Sequence, residues 1–173
     1  MTFEHVMIDI ETFDTTLDSV IVAIAAVKFS MEHDDIETFY QNVDAESCSK
    51  IGMTISHDTL DWWRKRDAAA RNAILPDRVD IGVALSRLSD FIGKMPKSTE
   101  FWAHGVVFDY GNLENAYRRV KQPCPWVYYQ ISDTRTIFRA AAFDFKTIER
   151  VGTYHNAKDD CLTQIKGLKE ALA

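Results

Sequence analysis

The stretch "MIDIETFDTT", residues Met7 to Thr16, carries both a strand pattern and a pair of acidic residues. It continues an apolar run that begins at His5, and such a run is typical of a strand covered on both faces of a sheet. Asp9 and Glu11 nevertheless place two carboxylates at the end of this strand. Because successive side chains of a strand alternate between the two faces, both carboxylates are expected to point to the same side.

Two neighbouring carboxylates repel each other, and without a partner one of them takes up a proton. A hard divalent cation removes the repulsion by binding both groups. A D-x-E pair also arises by chance at polar strand ends. The pair alone therefore does not distinguish a metal site from an ordinary polar strand end. The other acidic residues of the chain help to distinguish them.

The composition is that of an ordinary globular domain. The chain has 173 residues, 46% of them apolar, and no linker rich in Gly, Pro or Ser, so we expect residues 1–173 to form one domain with one core. The net charge of -6 opposes non-specific binding to polyanions, so a nucleic-acid contact would have to be local.

The sequence also bears on location and redox chemistry. No apolar run approaches the roughly 18 residues that a membrane span needs, and the N-terminus lacks the pattern of a secretory signal, so we expect a cytoplasmic protein with no membrane partner. Cys48, Cys124 and Cys161 are odd in number and widely spaced. This spacing argues against a disulfide framework or a zinc site and predicts reduced, buried thiols.

Apolar patterns along the chain predict the element order β-β-β-α-β-α-β-α. Strands are expected at residues 5–10, 19–30, 36–43, 99–104 and 126–132. Main helices are expected from residue 77 or 80 to 95 and along 113–120 and 161–172, with smaller helices around 57–66 and 133–140. Short polar connections predict an antiparallel meander for the first three strands. The fold class predicted is α/β, with a five-stranded mixed sheet flanked by helices.

Further acidic residues lie at the ends of later elements. Asp109 stands at the start of a helix, where a plain N-cap is the alternative to a metal ligand. Asp160 stands beside the apolar stripe of the last helix, and His155 precedes it by five residues. The alternative here is a surface histidine, with Asp159 and Asp160 as first-turn charges that favour the helix dipole.

These motifs together resemble those of the DEDDh branch of the DnaQ-like 3′-to-5′ exonucleases, which have a ribonuclease H-like fold. D-x-E in the first strand, F-D-x-x-x-L at a helix start and H-x4-D near the C-terminus occur in the family's order and span nearly the whole chain. The segment "TLDWWRKRDAAARNAI", residues 59–74, is similar to a W-W segment of phage exonuclease A (DexA-like) proteins, which are related to mycobacterial RNase AS-type exoribonucleases. Two positions depart from the pattern: Gly105 stands where many members have Asn, and Ala25 where Gly is usual.

The resemblance implies a two-metal hydrolase. Two Mg²⁺ or Mn²⁺ ions, about 3.5 to 4 Å apart, would clamp the attacking and leaving oxygens of the scissile phosphodiester. The metal ligands implied are Asp9, which would bridge the ions, with Glu11, Asp109 and Asp160. His155 would take a proton from the attacking water near neutral pH. The substrate implied is the 3′ end of single-stranded DNA or RNA, the product is a nucleoside 5′-monophosphate, and relatives are often homodimers.

The substrate-binding candidates are mostly aromatic: Thr12, Trp62, Trp63 and Phe108. Neighbouring residues on a helix point about 100° apart, so the two tryptophans cannot both enter the core equally. One ring would stack on an unpaired base, or else one ring fills the core and the other covers it. Basic groups at 118–121 and at Lys146 and Arg150 are either phosphate contacts or solvated surface, and Asp133 is expected to cap or orient rather than bind metal.

Two other functions remain as alternatives. The first is a catalytically silent nucleic-acid-binding or scaffold protein of the same fold, which the presence of all four acids and the histidine disfavours. The second is another metal-dependent phosphoester enzyme, since D-x-E-T faintly resembles the start of aspartyl phosphatases, although their second Asp is Glu11 here. An NTPase is disfavoured because the chain has no G-x4-G-K-[ST] motif.

Overall fold

The opening apolar run forms the central strand of a five-stranded mixed sheet in the computed structural model, which describes residues 3–173. The strands are β1 (His5–Thr12), β2 (Ile21–Phe29), β3 (Ile36–Asn42), β4 (Glu100–Ala103) and β5 (Ile131–Asp133). The helices are α1 (Ala45–Lys50), α2 (His57–Arg64), α3 (Ala68–Ala73), α4 (Ile81–Ile92), α5 (Val106–Arg119), α6 (Thr134–Ala140) and α7 (Ala157–Leu172). Short 3₁₀ turns lie at Tyr128–Gln130 and Phe145–Thr147.

The sheet has the order β3-β2-β1-β4-β5. The first three strands pair antiparallel, as the predicted meander requires, whereas β4 pairs parallel with both β1 and β5. The predicted α/β class and the five-stranded mixed sheet are confirmed. Because β1, β4 and β5 run parallel, their carboxyl ends meet at one edge of the sheet, and ligands of such sheets bind at that edge.

Both faces of β1 are buried, which explains its nearly continuous apolar sequence. Val6, Ile8 and Ile10 face the larger core, to which α4 and α5 contribute. Met7 faces the smaller core, where it packs with buried residues of α7 such as Cys161. By the alternation of a strand, Asp9 and Glu11 share the face of Met7, so the pair points toward α7.

Helix boundaries follow local capping chemistry. Asp80 caps α4, since its side chain accepts a hydrogen bond from the Gly82 amide over 2.8 Å. The helix ends at Ile92 before Gly93, whose φ of 64° favours glycine, so Met95 of the predicted stripe lies beyond the helix. Helix α5 begins earlier than predicted, with Gly105 at its N-cap position.

The predicted strand at residues 126–132 is wrong over most of its length. Only Ile131–Asp133 is a strand, and Tyr128–Gln130 is a 3₁₀ turn. Trp126 is buried against Tyr110 and Tyr117 and donates a hydrogen bond to Glu114 over 3.1 Å. The aromatic residues of this segment have the composition typical of a strand. Trp126 instead packs in the core, and the tyrosines that follow lie in an exposed turn.

The cysteines are free thiols, with Cys48 and Cys161 buried and Cys124 only half-buried. This arrangement is consistent with the prediction of unpaired thiols. The prediction that all three are buried is wrong for Cys124, which is only half-buried. None of the helices within residues 3–173 combines the length and the apolarity needed to cross a membrane.

Candidate active site

The carboxylates of β1 meet α7 at the edge of the sheet. Gln164 of α7 donates a hydrogen bond from Nε2 to Asp9 Oδ1 over 2.8 Å. Asp160 lies one helical turn earlier on the same side of α7. Asp9, Glu11 and Asp160 each offer a carboxylate oxygen within 4.8 Å of the others. Three hard oxygen donors at this separation suit Mg²⁺ or Mn²⁺ better than softer metals.

Asp109 reaches the same place from α5. Its Oδ1 accepts a hydrogen bond from the Ile10 amide over 3.3 Å, which fixes it beside Asp9. The four predicted acids and His155 all line one cavity of about 270 Å³. Asp109 is not part of the compact three-residue group, but it repels Asp9 more strongly than Glu11 or Asp160 does. The plain N-cap alternative is wrong, because Gly105 occupies the cap position.

The four acids are costly to bury as anions. Burial, followed by repulsion from the other acids, raises the pKa values of Asp9 and Glu11 well above their ordinary range. Burial raises the pKa of Asp109 to about 7 and also raises that of Asp160, although Arg150 opposes the shift at Asp160. Divalent cations supply the positive charge that this cluster lacks, so the donor set fits the implied metal ions.

Arg150 is a cation already at the site. Its Nη2 donates to Asp160 Oδ1 over 2.5 Å and to the Thr153 carbonyl over 2.8 Å. Its guanidinium also lies 3.9 Å from the centre of the Tyr154 ring. The sequence predicts Arg150 as either a phosphate contact or a solvated surface residue, and neither describes its contact with Asp160. Gln164 was not among the predicted site residues. The spacing of four residues between Asp160 and Gln164 was a signal that both lie on one helix face.

His155 occupies a strained turn just before α7. Its φ of 61° is unusual for a residue with a side chain, and such conformations concentrate at functional sites. Asn156 caps α7 by accepting hydrogen bonds from the amides of Lys158 and Asp159. Asp159 in turn accepts a hydrogen bond from the Thr153 amide over 2.8 Å. Asp159 therefore holds the turn, and His155 projects toward the acids.

Burial lowers the pKa of His155 below its ordinary value, and the positive charges of Arg66 and Arg150 act in the same direction. Asp160 opposes this shift. The neutral imidazole is therefore favoured near neutral pH, which is the form that accepts a proton.

The two tryptophans of α2 have different environments. Trp63 is buried, and its Nε1 donates a hydrogen bond to the Thr12 carbonyl over 2.8 Å. Trp62 is 37% exposed and packs beside His155. Both rings, Thr12 and Phe108 line a pocket of about 450 Å³ next to Glu11, which we call the nucleoside pocket. The structure thus brings all four substrate-binding candidates together and leaves Trp62 as the ring with an accessible surface.

Other predicted polar residues have structural partners. Asp133 caps α6 by accepting from the Thr136 amide and also accepts from the Val106 amide, each over 3.0 Å, as the expectation of a capping role requires. Arg118 donates to Asn115 over 2.6 Å, and Arg119 pairs with Asp18 over 2.6 Å. Arg119 therefore ties α5 to the loop after β1, whereas the Arg118 contact lies within α5.

The sequence model of the 3′-5′ exoribonuclease Rv2179c-like domain matches residues 4–172. The chain belongs to this family. The Rv2179c-like domain is also similar to the exodeoxyribonuclease of Enterobacteria phage T4, with 22% identity over 128 residues. That match covers 67% of this chain and 56% of the phage protein, so the chain spans little more than half of its relative's length.

Solved structures show the same fold as this Rv2179c-like domain. Pop2p of S. pombe in its Mg²⁺- and Mn²⁺-bound form aligns with a TM-score of 0.66 and 14% identity, covering 97% of this chain and 82% of Pop2p. The nuclease domain of 3′hExo, a DEDDh family member bound to rAMP, aligns with a TM-score of 0.64 and 13% identity, covering 98% and 92%. The resemblance to DnaQ-like exonucleases is confirmed.

Proposed function

We propose that residues 1–173 form a single metal-dependent 3′-to-5′ exonuclease domain, which removes nucleoside 5′-monophosphates from the 3′ ends of single-stranded nucleic acid. The observation that carries the proposal is the group of Asp9, Glu11 and Asp160, whose oxygens lie within 4.8 Å of one another in a cavity that His155 and Asp109 also line. The family match supports the direction of cleavage. The expected homodimer stays a prediction.

The acids would share the metal ions unequally. Asp9, Glu11 and Asp160 would hold one ion, and Asp109 with Asp9 the second, because Asp109 lies outside the compact group yet beside Asp9. Mg²⁺ or Mn²⁺ bound there would lower the pKa of water and stabilise charge on the attacking and leaving oxygens. Gln164 would orient Asp9 through its hydrogen bond.

His155 would act as the general base. It lines the same cavity as the four acids, and its lowered pKa keeps the imidazole neutral near pH 7. The imidazole would accept one proton from the attacking water as the water oxygen bonds to phosphorus and the bond from phosphorus to the 3′ oxygen of the preceding nucleotide breaks. The released 3′ oxygen would take a proton from solvent and become the new 3′ hydroxyl of the shortened strand.

The nucleoside pocket would bind the terminal residue. Trp62 and Phe108 offer aromatic surface there, and an unpaired base stacking on such a ring gains roughly 1 to 3 kcal/mol with little sequence preference. The family name refers to RNA and the phage relative's name to DNA, so the sugar preference has to be measured.

The test is an assay of purified protein on matched DNA and RNA strands that carry a label at the 5′ end. With Mg²⁺ or Mn²⁺ we expect a ladder that shortens from the 3′ end together with nucleoside 5′-monophosphates, and we expect EDTA or a 3′-phosphate to abolish it. Asp9→Asn is the matched control, since it keeps the acceptor for Gln164 and removes the charge. Full activity in that variant, or cleavage of circular strands, would rule out the proposal.

A further inference from the structure

A second groove lies beside the nucleoside pocket. It has a volume of about 600 Å³, and we call it the upstream groove. Its lining includes Thr15, Gly105, Val107, Phe108, Arg135 and Arg139. Phe108 lines this groove, the nucleoside pocket and the cavity of about 270 Å³ that the four acids line, which we call the metal-binding cavity. A strand that reaches from one pocket to the other must therefore pass Phe108 next to the carboxylates.

The two pockets carry opposite charge. The nucleoside pocket is lined by Glu11, Asp14 and Asp58, and no lysine or arginine of residues 3–173 lines it. The upstream groove contains Arg135 and Arg139. Its one acid, Asp133, already accepts hydrogen bonds from two backbone amides, as described above.

This asymmetry indicates how a strand would lie. A terminal nucleoside with a free 3′ hydroxyl has no phosphate beyond it, so an acidic pocket can accept it. Every further phosphate of the strand lies on the 5′ side of the scissile bond and requires cations. The acidic pocket thus fits the last nucleoside, and the basic groove fits the nucleotide before it.

Arg135 is the arginine that the upstream groove shares with the metal-binding cavity of the four acids, and its side chain is exposed. Its guanidinium makes no hydrogen bond or ion pair with any residue in the described range 3–173. A Cβ atom added to Gly105 would lie 3.2 Å from Arg135 Nη1, so the absence of a side chain there leaves room for the guanidinium. Gly105 also has a φ of 120°, which favours glycine.

We propose, on the basis of the exonuclease function proposed above, that the upstream groove binds the nucleotide on the 5′ side of the scissile bond. Arg135 binds the next phosphate of the strand, which is the first phosphodiester upstream of the one cleaved. A guanidinium suits this contact because it presents paired donors to phosphate oxygens. Arg139, one turn further along α6, adds positive charge to the same groove.

The test compares substrates with and without that phosphate. A five-nucleotide strand contains it, whereas the p-nitrophenyl ester of a nucleoside 5′-monophosphate offers only the scissile phosphodiester. For Arg135→Gln we expect kcat/KM to fall about 10- to 100-fold on the strand, because a charge-assisted hydrogen bond to the upstream phosphate is lost, and to fall far less on the ester. Arg135→Lys should recover part of the loss. Arg78→Gln is the control, because Arg78 is exposed and lines none of the cavities described above.

A strand with a neutral methylphosphonate at the upstream linkage gives an independent measurement. The wild-type protein should lose activity on it to the level of Arg135→Gln, and the variant should lose little more. An equal loss on strand and ester would place Arg135 at the scissile phosphate and overturn the inference, as would an unchanged kcat/KM on the strand. A wild-type protein that cleaves neither substrate would instead refute the exonuclease function, and this inference with it.

Discussion

The imidazole of His155 packs edge-on against the indole of Trp62, with 4.6 Å between the ring centroids. The guanidinium of Arg66 lies 4.3 Å from the centre of the same indole. Trp62 therefore contacts the proposed general base while it lines the nucleoside pocket. In the proposed function, this one side chain would couple the position of the base to the binding of the last nucleoside.

Trp62→Leu should impair both steps. Loss of the stacking surface raises KM, and loss of the edge contact leaves His155 less well oriented, so kcat falls as well. We expect kcat/KM to fall roughly 10-fold or more, in keeping with about 1 to 3 kcal/mol of stacking. Trp62→Phe keeps an aromatic ring and should retain most of the activity. A Trp62→Leu variant with a normal kcat would show that the contact with His155 has no role in the reaction.

Trp63→Ala should act on stability. The side chain is 5% exposed and its indole donates to the Thr12 carbonyl, so truncation leaves a cavity and an unpaired carbonyl next to the acidic pair. We expect the free energy of unfolding to drop by about 3 to 5 kcal/mol, measured by urea denaturation. Trp62→Ala serves as the comparison and should cost much less, because its ring is already partly in solvent. Equal losses in the two variants would contradict the assignment of Trp63 to the core.

The pH profile should reveal His155. Because its pKa is lowered, the neutral base persists at a more acidic pH than an ordinary histidine allows. With saturating Mg²⁺, kcat should rise with pH to a plateau, and the midpoint of that rise should lie below about pH 6.5. His155→Ala should lower kcat about 10²- to 10⁴-fold and remove this rise, while the Mg²⁺ concentration for half-maximal activity stays nearly unchanged. A rise that persists in the variant would identify another base.

Much of the fold could be predicted because its signals are local. The sequences of β1 and β2 are apolar because both faces of these strands are covered. Helix α4 was predictable from its apolar residues at helical spacing and from Asp80 at its N-cap. The strand predicted over residues 126–132 failed because the burial of Trp126 and the exposed turn after it depend on tertiary contacts. A short aromatic segment does not show which of its rings will find a core.

The residues of the site could be predicted from the sequence, but the distances between them could not. Asp9 and Glu11 share a face by strand alternation, yet only the packing of α7 on β1 brings Asp160 within 4.8 Å of both. The sequence likewise could not assign the tryptophans, since their environments depend on how α2 meets the end of β1. Arg135 carried no signal in the sequence, because only the fold places it over Gly105.

The buried acids should make the protein less stable as pH rises when no metal is bound. The pKa of Asp109 is raised to about 7, so the folded state holds a proton that the unfolded chain releases near pH 4. The free energy of unfolding in EDTA should therefore fall between about pH 4 and pH 7. Mg²⁺ should raise the melting temperature more at pH 8 than at pH 5, because at pH 5 Asp109 is already protonated.

Asp109→Asn tests the stability that the folded protein loses when the buried Asp109 carboxyl ionises. The amide oxygen can still accept the hydrogen bond from the Ile10 amide, so the variant removes the charge with little change in packing. At pH 8 in EDTA we expect stabilisation on the order of 2 kcal/mol, or roughly 4 to 8 °C in Tm, with little gain at pH 5. The same variant should lose exonuclease activity and only part of the stabilisation by Mg²⁺, because Asp9, Glu11 and Asp160 remain to hold one ion. An Asp109→Asn protein that is less stable than wild type at pH 8 in EDTA would show that the ionised Asp109 carboxylate contributes to folding, and would contradict the cost that we assign to its burial.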